Sequence, residues 1–374
     1  MSLPALHVVR SLDPAQGGPA ELVRQLCIAH SAMGQPIEVV SLDSPDAAWL
    51  AGWPSVVHSF PGRGVYGWSP EFERWLRTKR SAYAAVFIHG LWQWQGAGAW
   101  QALHDTDTPY FLFPHGMLDP WFREAWPFRH ARKAIYWRLL EHRIARDAAA
   151  VLFTCEEERL RGRGTFRPWL PRKEVVVPLG TVPPPRPAQE LRADFFARFP
   201  ELRGQRLLLF LGRIHEKKGC DLLIEAFRRV APPMHLVFAG PFANSKLEKQ
   251  LREMAHGLEV TFAGPIYGEE KWGVFAVAEA FALTSHQENF GVAVAEALAS
   301  GVPVLLSDKV NIWREVVEDG AGFAEPDTLE GAVRLLERWM AADREAMRAS
   351  ATKCFAARFD IRRTAENLAA LANP

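Results

Sequence analysis

Short apolar runs rich in Val, Leu, Ile and Phe recur along the chain, separated by stretches whose apolar residues fall three and four apart. In the first half, residues 5–12, 36–42, 55–60, 84–90 and 109–116 read as strands, with further strands opening at Ala150 and Val175. In the second half, strands are expected within residues 207–212, 235–241, 258–268, 278–285 and 302–307. Such runs lack polar alternation, which marks strands buried on both faces in a parallel sheet. Between them lie helical patterns such as residues 70–83, and a helix near the start carrying Leu22, Leu26, Ile28 and Ala29. Strand and helix alternating in this way predict an α/β fold, with doubly wound parallel sheets covered by helices.

The Pro-rich segment Thr181–Pro187 reads as a stiff connector, so the chain divides near it. One domain is expected over residues 1–182 and a second over 188–354, with a helix over 355–374. A length of 374 residues suits two domains of ordinary size. A content of 48% hydrophobic and 23% charged residues excludes a disordered chain. The net charge of +1 argues against a nucleic-acid-binding protein. Cys27, Cys155, Cys220 and Cys354 form no CxxC pair, so free thiols are expected and a zinc framework is not. The first residues lack the pattern of a signal peptide, and no apolar stretch reaches the ~18 residues of a spanning helix. A cytoplasmic location is the resulting expectation.

Chemistry concentrates in residues 284–317. A polar loop carrying Glu288 leads into a helix that begins at Gly291 and contains Glu296, and Gly301 and Pro303 stop it before the strand Val302–Ser307. The open N–H groups and positive dipole end at this loop–helix junction favour a bound phosphate. Eight residues of helix rise about 12 Å, too far for the two carboxylates to share one proton or metal ion. They can instead accept hydrogen bonds from hydroxyls at the two ends of an elongated anion such as a nucleotide sugar. Upstream, Arg213 and Lys218 flank a loop leading into the helix at Cys220. Arg grips a diphosphate bidentately and Lys adds a compact charge. Neither a P-loop nor a GxGxxG fingerprint is present, which removes a nicotinamide-dependent dehydrogenase from consideration. Asp105 and Asp107 stand in a DTD triplet directly before a strand and read as a turn; no metal site is expected.

The pattern ENFGVAVAE at 288–296 resembles the paired-glutamate motif of the retaining glycosyltransferases of family four, which have the GT-B fold. FLGRIHEKKGCDLLIEAF at 210–227 is similar to that family's phosphate-binding segment. The resemblance implies two Rossmann-like domains facing across a cleft, with the last helix crossing back to the first. It implies a nucleotide-diphosphate sugar as donor, no further cofactor, and a saccharide or lipid-linked saccharide as acceptor. Arg213 and Lys218 would neutralise the departing diphosphate. Glu288 would orient the hexose with backbone N–H groups near Phe290, Gly291 and Val292, and Glu296 would bind the ribose. The nucleobase would lie against Pro265 and Ile266. Gly17 and Gly18 would approach the donor phosphates, and His115 in PHGMLDPW would stand beside the donor sugar. A sugar phosphorylase or nucleotide-sugar epimerase of the same architecture remains an alternative, as does a non-catalytic partner subunit.

One stretch stands apart. Residues 121–146 carry Arg123, Arg129, Arg132, Lys133, Arg138, Arg143 and Arg146 among Trp121, Trp126, Phe128, Tyr136 and Trp137. A basic helix with interleaved aromatics suits an anionic membrane surface, and a solvated helix with its aromatics turned to the core suits the same residues. The membrane reading makes Trp126, Phe128 and Trp137 the interfacial residues and places the protein on the inner face of the cell membrane.

Overall fold

The computed structural model describes residues 3–14 and 18–373, so Gly17 lies outside the described residues. The chain forms two compact units, Met1–Gly180 with Ile361–Pro374, and Thr181–Asp360.

In the first unit the strands are β1 (Ala5–Val9), β2 (Glu38–Ser41), β3 (Val57–Ser59), β4 (Ala85–His89), β5 (Tyr110–Phe113), β6 (Ala150–Phe153) and β7 (Glu174–Val176). They form one sheet of order β3-β2-β1-β4-β5-β6-β7, with every neighbouring pair parallel. Parallel strands need a crossover, which here is usually helical. The helix Gly18–Ala32 connects β1 to β2, and Trp94–Leu103 connects β4 to β5. Burial on both faces explains the unbroken apolar runs: all residues of β4, β5 and β6 are buried. Ile28 departs from its expected core position and is exposed, because its neighbours Leu22, Leu26 and Ala29 already supply the buried stripe. The last helix, Ile361–Ala372, packs on Gly18–Ala32, and Thr364 Oγ1 donates to the Pro178 carbonyl at 2.9 Å.

The second unit contains β8 (Leu207–Leu211), β9 (His235–Ala239), β10 (Val260–Gly264), β11 (Ala278–Leu283), β12 (Val304–Ser307) and β13 (Gly322–Glu325). Its parallel sheet has the order β10-β9-β8-β11-β12-β13. Strand β13 was not expected, because GFAE contains no β-branched residue; three of its four positions are half-buried at the sheet edge.

Residues 121–147 are not one helix. Trp121–Ala125 ends before Pro127, Pro127–Tyr136 comes next, and a widened turn over Trp137–Glu141 precedes His142–Asp147. The break falls before Pro127 because the residue preceding proline is pushed out of helical geometry; Trp126 sits at φ −141°. Trp137, expected at an interface, is instead 1% exposed, and its Nε1 donates to the Pro168 carbonyl at 2.8 Å. It stacks against Phe166 and Trp169, so burying its ring serves the core. Phe128 points outward, 88% exposed.

The two aromatics therefore predict opposite costs. Trp137→Ala should destabilise the protein by about 3–5 kcal/mol, as large core truncations do, and Phe128→Ala by less than about 0.5 kcal/mol. Denaturant unfolding of both variants measures the difference; equal effects would contradict the orientation of this segment.

Candidate active site

Sheet order in the second unit reverses at β8, whose neighbours β9 and β11 run outward in opposite directions. The loops leaving β8 and β11 therefore diverge and leave a crevice at the carboxyl ends of the strands. Arg213 and Lys218 lie beyond the end of β8, and Glu288 beyond the end of β11.

The two loops are stitched together. Thr284 Oγ1 donates to the Gly219 carbonyl at 2.7 Å, and His286 N donates to the Lys217 carbonyl at 2.8 Å. Gly219 has φ +60° and lies so close to β11 that a Cβ there would meet the Thr284 carbonyl oxygen at 2.1 Å. Only glycine satisfies both conditions at once. Across this stitch Lys218 Nζ forms a hydrogen-bonded ion pair with the Glu288 carboxylate. The Glu288 backbone is fixed separately: its N–H donates to the Lys309 carbonyl and its carbonyl accepts from Asn311 N, each at 3.0 Å.

Burial alone would raise the pKa of Glu288. The charge and hydrogen bond of Lys218, with the more distant Lys217, outweigh it and hold the carboxyl below its ordinary range. Glu288 is thus an anion and hydrogen-bond acceptor at neutral pH. Three residues on, Gly291 at φ +78° turns the chain into the helix Val292–Ala299. Val292 stands exposed at the mouth of this helix, whereas the Phe290 ring is buried against Phe359, leaving only its backbone for a ligand.

Glu296 is 4% exposed and accepts from Lys271 Nζ at 2.5 Å. Lys271, on the helix Glu270–Val277, was not anticipated; nothing in its local sequence marks it, and only the packing of the two helices brings it to Glu296. Arg213 is exposed after β8, Pro265 is exposed beyond β10, and Ile266 is buried beside it.

In the first unit, the sheet order reverses at β1 between β2 and β4. Gly18 opens the helix after β1, with nothing within 4 Å of where its Cβ would stand. His115 lies just past β5 at φ +51°, an uncommon conformation for a non-glycine residue. Its neighbour Gly116 anchors the turn, donating its N–H to the buried Glu158 carboxylate at 2.5 Å. His115 Nε2 bonds to His89 Nδ1 at 2.8 Å, and His89 Nε2 to His7 Nδ1 at 2.9 Å. In the sequence, His89-Gly90 and His115-Gly116 repeat a His-Gly step at strand ends, whereas His7, inside an apolar strand, carries no signal of its own. Asp105 and Asp107 lie in the turn before β5.

Two all-parallel α/β units, the second with a cation–carboxylate pair at its sheet reversal, define a protein of the GT-B class. The chain belongs to glycosyltransferase family four: the family described as glycosyl transferases group 1 matches residues 192–353, and the glycosyl transferase 4-like domain matches residues 17–180. It is 27% identical over 379 aligned residues to the GDP-mannose:cellobiosyl-diphosphopolyprenol alpha-mannosyltransferase of Xanthomonas campestris, covering 96% of this chain and 93% of that protein. Over 134 residues it is 31% identical to the mannosylfructose-phosphate synthase of Agrobacterium fabrum; that match covers 32% of this chain and only 30% of the relative. The crystal structure of Anabaena HepE in complex with UDP and glucose superposes with a TM-score of 0.71, at 17% identity and 99% coverage of both chains. The two family matches make the protein a glycosyltransferase.

The ion pair makes a titration prediction. Because the folded-state pKa of Glu288 lies below its unfolded value, the stabilisation it carries is present above the ordinary carboxylate range and is lost as pH falls through the folded value. In Lys218→Met, burial should dominate and move the Glu288 titration upward by at least about one pH unit. Carboxyl carbon NMR of labelled protein reads this directly; an unchanged titration would show that Lys218 does not hold the charge.

Proposed function

We propose that the protein transfers a hexosyl group from a nucleoside-diphosphate sugar to an acceptor hydroxyl with retention of anomeric configuration, its own cations serving in place of a divalent metal. The observation that carries this reading is Lys218 set against Glu288 at the sheet reversal. A lysine ammonium has three N–H donors, so the one committed to Glu288 leaves two for phosphate oxygens. As the glycosidic bond to the diphosphate breaks, negative charge grows on the leaving oxygen, and a fixed cation there lowers the barrier. Arg213, exposed on the same loop, adds a bidentate grip on the diphosphate.

Glu288, kept ionised, accepts hydrogen bonds from the hexose hydroxyls, with the backbone at Phe290–Val292 assisting. Glu296, steadied by Lys271, serves the ribose. Pro265 and Ile266 flank the base, Gly18 approaches the phosphates, and His115 meets the hexose. The departing phosphate takes the acceptor proton on the same face that the acceptor attacks, so configuration is retained and no separate protein base is required.

The acceptor in this reading is a saccharide carried on a lipid at the inner face of the membrane. The Xanthomonas relative, aligned over nearly its whole length, is named for a diphosphopolyprenol acceptor. On this chain Phe128, Ile135 and Leu139 are exposed by 88%, 64% and 66%, at the spacing of one helix face, with exposed Arg132 and Arg138 beside them. Exposed apolar residues between arginines suit the boundary between headgroups and acyl chains. No helix among the described residues is long and apolar enough to cross a membrane, so attachment in this reading is peripheral.

Two measurements test these steps. Lys218→Ala should lower kcat by at least about a hundredfold, as loss of a charge-stabilising group does. Folded Lys218→Ala with near-normal turnover would place the diphosphate elsewhere. The protein should also sediment with anionic vesicles at low salt and less at high salt, since each basic residue near the surface contributes about 1 kcal/mol. Phe128→Ser combined with Leu139→Ser should weaken that binding at every salt concentration. Indifference of the unmodified protein to anionic vesicles would remove the membrane from the proposal.

A further inference from the structure

Three strands of the first unit that lie side by side, β1, β4 and β5, each contribute a histidine to one line of rings. His7 lies within β1, His89 ends β4, and His115 stands two residues beyond β5. The hydrogen bonds join Nδ1 of His7 to Nε2 of His89, and Nδ1 of His89 to Nε2 of His115. Ring centroids are 5.2 and 5.1 Å apart, with planes inclined by 23° and 12°, so the imidazoles meet almost edge to edge. Phe87 stacks on His7, and Phe113 stacks on both His89 and His115.

Apolar packing around the line keeps its rings uncharged. Burial lowers the pKa of His7 to about 3, with the charge of His30 adding to the effect, and lowers that of His115 to about 4. His89 is held well below its ordinary value by burial first, then by its two histidine neighbours. A neutral imidazole has one N–H and one lone pair. If His89 donates from Nδ1 to His115, its Nε2 must accept from His7, and the proton of every ring is on Nδ1. If His89 instead donates from Nε2 to His7, every proton is on Nε2. Both hydrogen bonds survive only in these two states. His7 is fully buried and its Nε2 has no hydrogen-bond partner among the described residues, so the line is closed at that end. At the other end, Nδ1 of His115 is the ring nitrogen not used by His89.

We propose that His7 and His89 are positioning residues for the transfer reaction: they bond His115 into a row of three imidazoles that share one tautomer, so that His115 meets its substrate through Nδ1 as a single defined partner. This rests on the reading that His115 contacts the hexose. His115 then offers a hydroxyl-rich ligand one role, donor or lone pair, without ionising: relaying protons along the row into the other state would also have to deliver or remove a proton at Nε2 of His7, which has no hydrogen-bond partner among the described residues.

The experiment uses the full chain labelled with nitrogen-15 in histidine, observed at pH 7 by long-range proton–nitrogen correlation, beside steady-state kinetics. In the unmodified protein the three rings should be neutral and carry their protons on the same nitrogen. His89→Phe should leave His115 as a mixture of tautomers and lower kcat by at least about tenfold, the loss typical of removing the group that orients a functional histidine. Donor KM should change little. His89→Asn, whose amide can again bond His115 Nε2, should restore one His115 tautomer and most of kcat. Rings protonated on different nitrogens, a charged ring at pH 7, or a His115 spectrum indifferent to His89→Phe would overturn the shared tautomer. The first two are read on the unmodified protein and do not depend on the folding of any variant. A lost tautomer with unchanged turnover would overturn the positioning role by showing that His115 does not serve the transfer.

Discussion

The ion pair between Lys218 and Glu288 depends on two loops that are distant in sequence being held at a fixed separation. That separation is set by the β8–β11 pairing and by the stitch from Thr284 to Gly219 and from His286 to Lys217. A parallel sheet builds such a place wherever its winding reverses, because the loops on either side must diverge. The ion pair then makes use of it. Glu288 at this depth would resist ionisation without Lys218, and Lys218 without Glu288 would be a long flexible cation with many rotamers to lose. Each residue supplies what the other lacks, and the loop geometry supplies both.

The second carboxylate obeys the same logic with different means. Glu296 is buried within a helix and draws its cation, Lys271, from a neighbouring helix. One carboxylate is therefore tied to the sheet reversal and the other to helix packing. Movement of the β8 loop would disturb Glu288 first and leave Glu296 largely in place. The first unit contributes a different chemistry: His89 and His115 at its strand ends, with His7 in β1, are neutral imidazoles walled by phenylalanine rings, a surrounding in which charge is costly.

Much of this was legible before the structure. The unbroken apolar runs marked the parallel strands because burial on both faces removes polar alternation, and Glu288, Gly291 and Glu296 could be placed around a helix start from their spacing alone. What escaped depends on contacts between elements far apart in sequence. Lys271 and His7 have meaning only through what packs against them, and β13 forms by edge pairing despite weak propensity. Trp137 misled for a related reason: composition shows that a segment is basic and aromatic, but which aromatic faces inward depends on the helical phase.

That phase is altered by the widened turn at Trp137–Glu141, where the His142 ring also bonds back to the Trp137 carbonyl at 2.9 Å. A widened turn is equivalent to one residue inserted into a regular helix. Upstream of it, Phe128 and Ile135 face outward; downstream, Ile144 and Ala145 are buried and Arg143 and Arg146 are exposed. Were the same residues to run on as regular helix instead, everything after the turn would be rotated by about 100°. Arg143 would be turned towards the core and Ala145 out of it. The widened turn thus absorbs one residue beyond what a regular helix holds: the chain can change in length there by one while the side chains after it keep their facing.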